Sequence, residues 1–245
     1  MRYKVTIEYD GVPFVGWQKQ DNGLAVQECI ENAISSLSQE KVIVFGAGRT
    51  DAGVHAVGQV AHFDILNKEF EEDVITNALN NHLRPYPISI RKTEIVNENF
   101  HSRFDAIQRK YLYRVINRRS PLAIEKGRAW QVIKKLDLNN MKECIPFIIG
   151  KHDFSAFRSS HCQSESPVKT INELKITQDE DDIYFAICAR SFLHHQVRSI
   201  VGSLKMVGEG AWSPNDFRDV LASKDRSRCG ALAPSNGLYF MEVKY

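Results

Sequence analysis

At 245 residues, 43% hydrophobic and 25% charged, the chain can form one large or two smaller globular domains with a sizeable core. Its 32 basic and 30 acidic side chains leave a net charge of +2, which excludes a uniformly polycationic protein. The opening Met1-Arg2-Tyr3-Lys4-Val5 has no apolar leader, and no apolar run approaches the ~20 residues of a membrane span. Five cysteines, an odd number with no Cys-x-x-Cys spacing, predict a reduced, cytoplasmic protein without a disulfide framework or zinc site.

Tyr3, Val5, Ile7 and Tyr9 alternate with Lys4, Thr6 and Glu8, the period of a half-buried strand. Val26, Ile30, Ala33, Ile34 and Leu37 recur at helical spacing. Strands are expected at 42–45, 59–63 and 88–96. A second helix carries Val74, Ile75, Ala78, Leu79 and Leu83 and is stopped by Pro85 and Pro87. This β-α-β-β-α-β order is that of a ferredoxin-like half.

A similar order follows. Residues 110–116 are a predicted strand, and Met141, Cys144, Ile145 and Ile148 mark a helix. Strands at 171–176 and 183–188 flank the acidic turn Asp179-Glu180-Asp181-Asp182. Val197, Ile200, Val201, Leu204 and Val207 form a helical stripe, Ser213-Pro214 opens a short extra helix, and 238–243 closes as a strand. The expected fold is α+β: two ferredoxin-like (βαββαβ) halves forming an extended, mainly antiparallel sheet with a central basic cleft. The expected domains are 1–105 and 106–245.

The loop Gly46-Ala47-Gly48-Arg49-Thr50-Asp51-Ala52-Gly53-Val54-His55-Ala56 places one carboxylate beside an arginine. It lacks the Gly-Lys-Ser/Thr ending of a P-loop, and Asp51 stands where a dinucleotide loop needs its third glycine. Two readings stay open for Asp51. One is a turn closed by its own side chain; the other is a nucleophile kept ionised by a nearby guanidinium.

Charge is segregated. Between Phe100 and Arg128 stand eight basic residues, Arg103, Arg109, Lys110, Arg114, Arg118, Arg119, Lys126 and Arg128, opposed by Asp105 and Glu125 alone. Aromatic residues interleave with them in Phe100-His101-Ser102-Arg103-Phe104 and Arg109-Lys110-Tyr111-Leu112-Tyr113. Such rings can stack on unpaired bases while guanidinium groups hold phosphates; equally, Tyr111 and Tyr113 can be core aromatics of one strand face. His194 and His195 are adjacent and, on a helix, would point about 100° apart, so no metal site is expected from them. Arg198 lies off the apolar stripe, and the polar segment 157–164 reads as a loop.

Six segments in this order resemble the tRNA pseudouridine synthase A family. They are G-A-G-R-T-D-A-G-V-H-A at 46–56, Y-D-G-x-x-F-x-G-W-Q at 9–18, F-H-S-R-F at 100–104, R-K-Y-L-Y at 109–113, F-L-H-H-Q-V-R at 192–198 and A-P-S-N-G-L at 233–238. Gln196, Ser199 and Ser235 depart from common family residues without removing a charged position. The resemblance implies that Asp51 is the nucleophile that detaches uracil from its ribose, through either the sugar or the ring. It implies that Arg198 pairs with Asp51, that Arg49 takes the place of the expelled base, and that Tyr111 stacks on the uracil and assists proton transfer. His101, Ser102, Arg103, Phe104, Arg158, Ser159, Ser160, His161 and Cys162 would touch tRNA. It further implies a homodimer acting on positions 38 to 40 of the anticodon stem-loop, with no cofactor and no metal. The alternative is a non-catalytic RNA-binding protein of the same fold.

Overall fold

The computed structural model describes residues 1–160 and 162–245. In chain order the elements are β1 (Arg2–Tyr9), α1 (Val26–Ser38), β2 (Phe45–Gly46), β3 (His55–Asp64), α2 (Glu72–His82), β4 (Ile88–Val96) and β5 (Gln108–Ile116). There follow β6 (Trp130–Gln131), α3 (Leu138–Glu143), α4 (Ile145–Ile148), β7 (Gly150–Asp153), β8 (Val168–Asp179), β9 (Asp182–Ala189), α5 (Gln196–Gly208), α6 (Pro214–Ser223) and β10 (Leu238–Lys244). The fold is α+β with mostly antiparallel pairing. Two compact units divide it: Met1–Ile107 with Tyr239–Tyr245, and Gln108–Leu238.

In the first unit β1 lies between β3 and β4, antiparallel to both. Tyr3, Val5, Ile7 and Tyr9 are buried, as their alternation requires. Tyr3 stacks on Phe63 at 5.7 Å between centroids. Ile30 and Ile34 of α1 and Ile75 and Leu79 of α2 are fully buried; α2 packs on α1 and on β4. The other face of β1 is polar, with the Arg2 guanidinium forked onto Asp64 at 2.8 and 2.7 Å and Lys4 paired with Glu94 at 2.9 Å. The strand expected at 42–45 shrinks to the two residues of β2. Side chains of α1 claim the backbone just before it: Glu31 accepts from Val44 N–H (3.1 Å) and Gln27 donates to Val44 O (3.1 Å). The last strand returns to this unit, where Tyr239 and Phe240 lie parallel to His55 and Ala56 of β3.

In the second unit the strand order is β5-β9-β8-β7, antiparallel throughout. Tyr113, Val115, Ile183, Phe185 and Ile187 are buried, and the whole stripe Val197, Ile200, Val201, Leu204 and Val207 of α5 is buried with them. The single helix expected around 141–148 is two short ones, α3 and α4. Pro146, near the start of α4, has no N–H to continue the first helix. Ser213 caps α6 in a reciprocal box with Asp216. The histidines expected on a helix precede it instead: α5 begins at Gln196, and His195 is left-handed at φ 67°.

Candidate active site

The Asp51 loop connects β2 to β3 and is fastened along its length. Ala47 N–H donates to Val60 O (2.7 Å), and Trp17 N–H to Thr50 O (3.0 Å). The buried Gln59 side chain donates through Nε2 to Gly48 O (2.7 Å), while its Oε1 accepts from Val60 N–H (3.1 Å). The Tyr9 hydroxyl meets Thr50 Oγ1 at 2.8 Å. Gly16 forms a bridge with Asp51. At φ +118°, a side chain on Gly16 would place Cβ 2.6 Å from Thr50 O, so only glycine lets the 9–18 segment lie this close to the loop. The turn itself closes through Val54 N–H to Asp51 O (3.1 Å), with Gly53 at φ 77°. Asp51 is thus left half-buried between an exposed Arg49 and a buried Thr50, an arrangement that fixes the backbone carrying the carboxylate without sealing the residue from solvent.

Beyond the loop, His55 is buried, with Nδ1 accepting from Gly11 N–H (3.1 Å) and lying 3.2 Å from Asp10 Oδ1; its ring stacks on Tyr239 at 4.7 Å. The segment 100–104 folds over β2 and β3. Ser102 is fully buried and its hydroxyl donates to Phe45 O (2.6 Å), while His62 Nδ1 lies 2.9 Å from Ser102 Oγ. His101 Nδ1 accepts from Arg103 N–H (3.1 Å). Arg103 and Phe104 are exposed, with the guanidinium carbon 5.7 Å from the Phe104 centroid.

In the second unit Tyr111 sits on β5 opposite Ile187, 8% exposed, its ring edge-on to Phe192 at 5.2 Å. Tyr113, two residues on, is fully buried and donates to Pro234 O (2.7 Å). Of the pair, Tyr113 is the core aromatic. Arg198 on α5 is half-buried, its Nε donating to Ala233 O (2.8 Å). Segments 192–198 and 233–238 therefore meet at this guanidinium. Ser159 is buried and its N–H donates to His194 O (2.9 Å). Arg158 and Cys162 are half-buried and Ser160 exposed; His161 lies outside the described residues.

The basic segment needs correction. Arg114 is bound to Asp182 (2.6 Å) and to Glu125, and Arg109 is buried with Nη1 donating to Arg190 O. Two of the eight cations are structural. Arg103, Arg119, Lys126 and Arg128 are exposed.

The tRNA pseudouridine synthase family model matches residues 5–105 and 147–245, spans that take in the Asp51 loop, the 100–104 segment and Arg198. The chain belongs to this family. Proteins named tRNA pseudouridine synthase A are similar to it over its entire length: 52% identity to that of Afipia carboxidovorans, covering 99% of the relative, 50% to that of Parvibaculum lavamentivorans, covering 99%, and 53% to that of Beijerinckia indica, covering 94%. Within this synthase-family chain, the first unit brings together Arg49 and Asp51 on one loop and His101 to Phe104 on another; the second carries Tyr111, Arg198 and residues 158–162. Sequence reasoning missed Tyr9, Gln59, His55 and His62. Gln59 and His62 on β3 are 0% and 2% exposed; a polar residue inside an apolar strand run was the available signal.

Proposed function

We propose that this protein isomerises uridine to pseudouridine in tRNA, at positions 38 to 40 of the anticodon stem-loop, without a cofactor, as a cytoplasmic homodimer. The two units serve as ferredoxin-like halves with a basic RNA-binding face; the pairing of β1 with both β3 and β4, and of β2 with β3, supports that reading in the first. The observation that carries the function is the half-buried Asp51 on a loop held at Gly48, Thr50 and Asp51 by groups from β1, β3 and the 9–18 segment. Such a loop presents a carboxylate with little freedom left to lose at the transition state.

The chemistry needs no net addition of atoms. Asp51 bonds to ribose C1′, or to the uracil ring, on the way to breaking the bond between uracil N1 and ribose C1′. The base turns, a C5–C1′ bond forms, the bond to Asp51 breaks and frees the carboxylate, the C5 proton departs to a base, and N1 takes up a proton. Arg198 supplies the cation that keeps Asp51 ionised. Tyr111, nearly buried yet ring-edged by Phe192, stacks on the target uracil and serves in proton transfer. Arg49, exposed on the loop, fills the gap that the uracil leaves in the stem and so offsets the unstacking cost of a few kcal/mol. Arg103, Phe104, His101, Arg158, Ser160, His161 and Cys162 contact RNA, while Ser102 and Ser159, both buried, contribute by holding their loops.

The test is direct. Wild-type protein incubated with unmodified tRNA forms pseudouridine in the anticodon arm, mapped by position. Asp51→Asn binds the same tRNA and forms none. Product from Asp51→Asn overturns the mechanism, and absence of product from the wild type overturns the activity.

A further inference from the structure

We propose that Gln59 is a positioning residue that aims Arg49: its carboxamide ends the pairing of β2 with β3 at Gly48 and so sets the peptide from which Arg49 begins. This rests on the reading above, in which Arg49 fills the gap left by the expelled uracil, and gives that role its internal support. Gln59 is 0% exposed. A carboxamide in the interior must find protein partners for its carbonyl and its amino group, or carry the cost of leaving them unpaired.

The strand register shows where those partners lie. Phe45 stands opposite His62 and Gly46 opposite Ala61, and Ala47 N–H continues the pattern onto Val60 O (2.7 Å). The next pair in this register is Gly48 with Gln59. There a side chain takes over from the backbone. Gln59 Nε2 donates to Gly48 O (2.7 Å), and Oε1 turns back to accept from Val60 N–H (3.1 Å). The loop leaves the sheet at this point, and the carbonyl that Gln59 holds belongs to the same peptide as the Arg49 N–H. A bulge accompanies the step. Ile7 lies opposite Gln59 and Tyr9 opposite Ala56, so β3 has one residue more than β1 between the two pairs. Such an extra residue re-aims the side chains beside it.

The far side of Arg49 is held by other groups. Trp17 N–H donates to Thr50 O (3.0 Å), and the Tyr9 hydroxyl meets Thr50 Oγ1 (2.8 Å). That hydroxyl also adjoins the Gln59 carboxamide. Arg49, itself exposed, is therefore bracketed at Gly48 and at Thr50 by one buried polar pair. A long side chain that must enter a stem gains from a fixed root, because freedom already removed by folding is not lost again on binding.

The experiment measures single-turnover rates on unmodified anticodon-arm RNA at saturating enzyme, with affinity measured separately. Gln59→Met keeps the length of the side chain and removes the donor. The rate falls by about 5- to 100-fold, as expected for a buried carbonyl left unpaired, and affinity falls less. The double variant with Arg49→Ala is no slower than Arg49→Ala alone, because the two residues act as a unit. On an arm whose target uridine is already mismatched, expulsion costs least and the Gln59→Met deficit shrinks. Gln59→Glu changes the donor alone. Its ionised carboxylate has no proton for Gly48 O, whereas the protonated acid has one, and burial raises the pH at which the two exchange. Its rate relative to wild type therefore rises as pH falls. A residue that merely supports the fold would show neither the coupling to Arg49 nor the relief by a mismatch. Full rate in Gln59→Met, a loss confined to affinity, losses additive with Arg49→Ala, or a Gln59→Glu to wild-type ratio that ignores pH overturns the positioning role. Should Gln59→Met fail to fold, the pH course of Gln59→Glu decides alone. No pseudouridine from the wild type overturns the enzymatic reading and this role with it; an active wild type beside an unimpaired Gln59→Met overturns this role alone.

Discussion

The hydroxyl of Tyr9 lies 2.8 Å from Thr50 Oγ1, in the interior, one residue before Asp51. Burial pushes this phenol far above its ordinary pKa, so it stays a neutral hydrogen-bonding group at any working pH. Tyr9→Phe removes the tether and keeps the ring. We expect turnover to fall by about tenfold, the equivalent of one buried hydrogen bond, with KM nearly unchanged. Single-turnover rates at saturating tRNA check it; a loss confined to KM would place Tyr9 outside the positioning of Asp51.

Arg198→Ala tests the proposed cation. Without it the folded carboxyl of Asp51 becomes harder to ionise, so the acid limb of the pH–rate profile moves to higher pH and the rate at low pH falls most. Arg198→Lys keeps the charge and returns the limb toward its original position. A profile of unchanged shape in Arg198→Ala shows that the residue serves only to hold Ala233 O.

Arg103→Ala should weaken tRNA affinity more than it slows the chemical step. Plotted against log salt, log affinity should lose about one unit of slope, the signature of one phosphate contact removed. Arg114→Ala provides the contrast. Its guanidinium is already committed to Asp182 and Glu125, so its loss should lower Tm and leave the salt slope intact.

His62 makes stability depend on pH. Burial, then the neighbouring His101 and Arg2, lower its pKa from 6.5 to about 4, against the smaller opposing pull of Asp64 and Asp105. The folded ring stays neutral down to about pH 4, whereas the unfolded one protonates near pH 6.5. Between those values the unfolded chain binds more protons, so stability falls as pH drops through the window and the loss is constant below it. The contribution is at most about 3 kcal/mol. Thermal melts from pH 7.5 to 4 should show a shallower decline for His62→Gln than for wild type; parallel curves would exclude the effect.

Much of this was legible beforehand because one-sided burial writes its period into the chain. The alternation of β1 and the stripe of α5 are of that kind, and the ordered motifs named the family. What stayed hidden depends on partners remote in sequence. Val44 looks like a strand residue until Gln27 and Glu31 take its backbone groups. Arg114 counts as an RNA-binding cation until the β5–β9 register sets Ile116 against Asp182 and brings that carboxylate to it. Ser102 resembles a surface contact in its motif, yet the folded segment spends its hydroxyl on Phe45 O. Gln59 and His62 stand out as polar residues within an apolar strand run, but nothing in the chain names their partners, Gly48 O and Ser102 Oγ, which lie 11 and 40 residues away.

The placement of β10 bears on how the molecule is made. Its residues Tyr239 and Phe240 complete the unit that contains Asp51, by lying alongside the start of β3. A nascent chain has already released everything else in that unit long before this strand leaves the ribosome, and the intervening unit is in effect an insertion. The Asp51 loop therefore sits next to an unfilled strand edge until β10 arrives, and long-range closure of this kind is slow and exposed to misassociation. Termination before Tyr239 would spare nearly every residue of the proposed site and still deprive β3 of its neighbour.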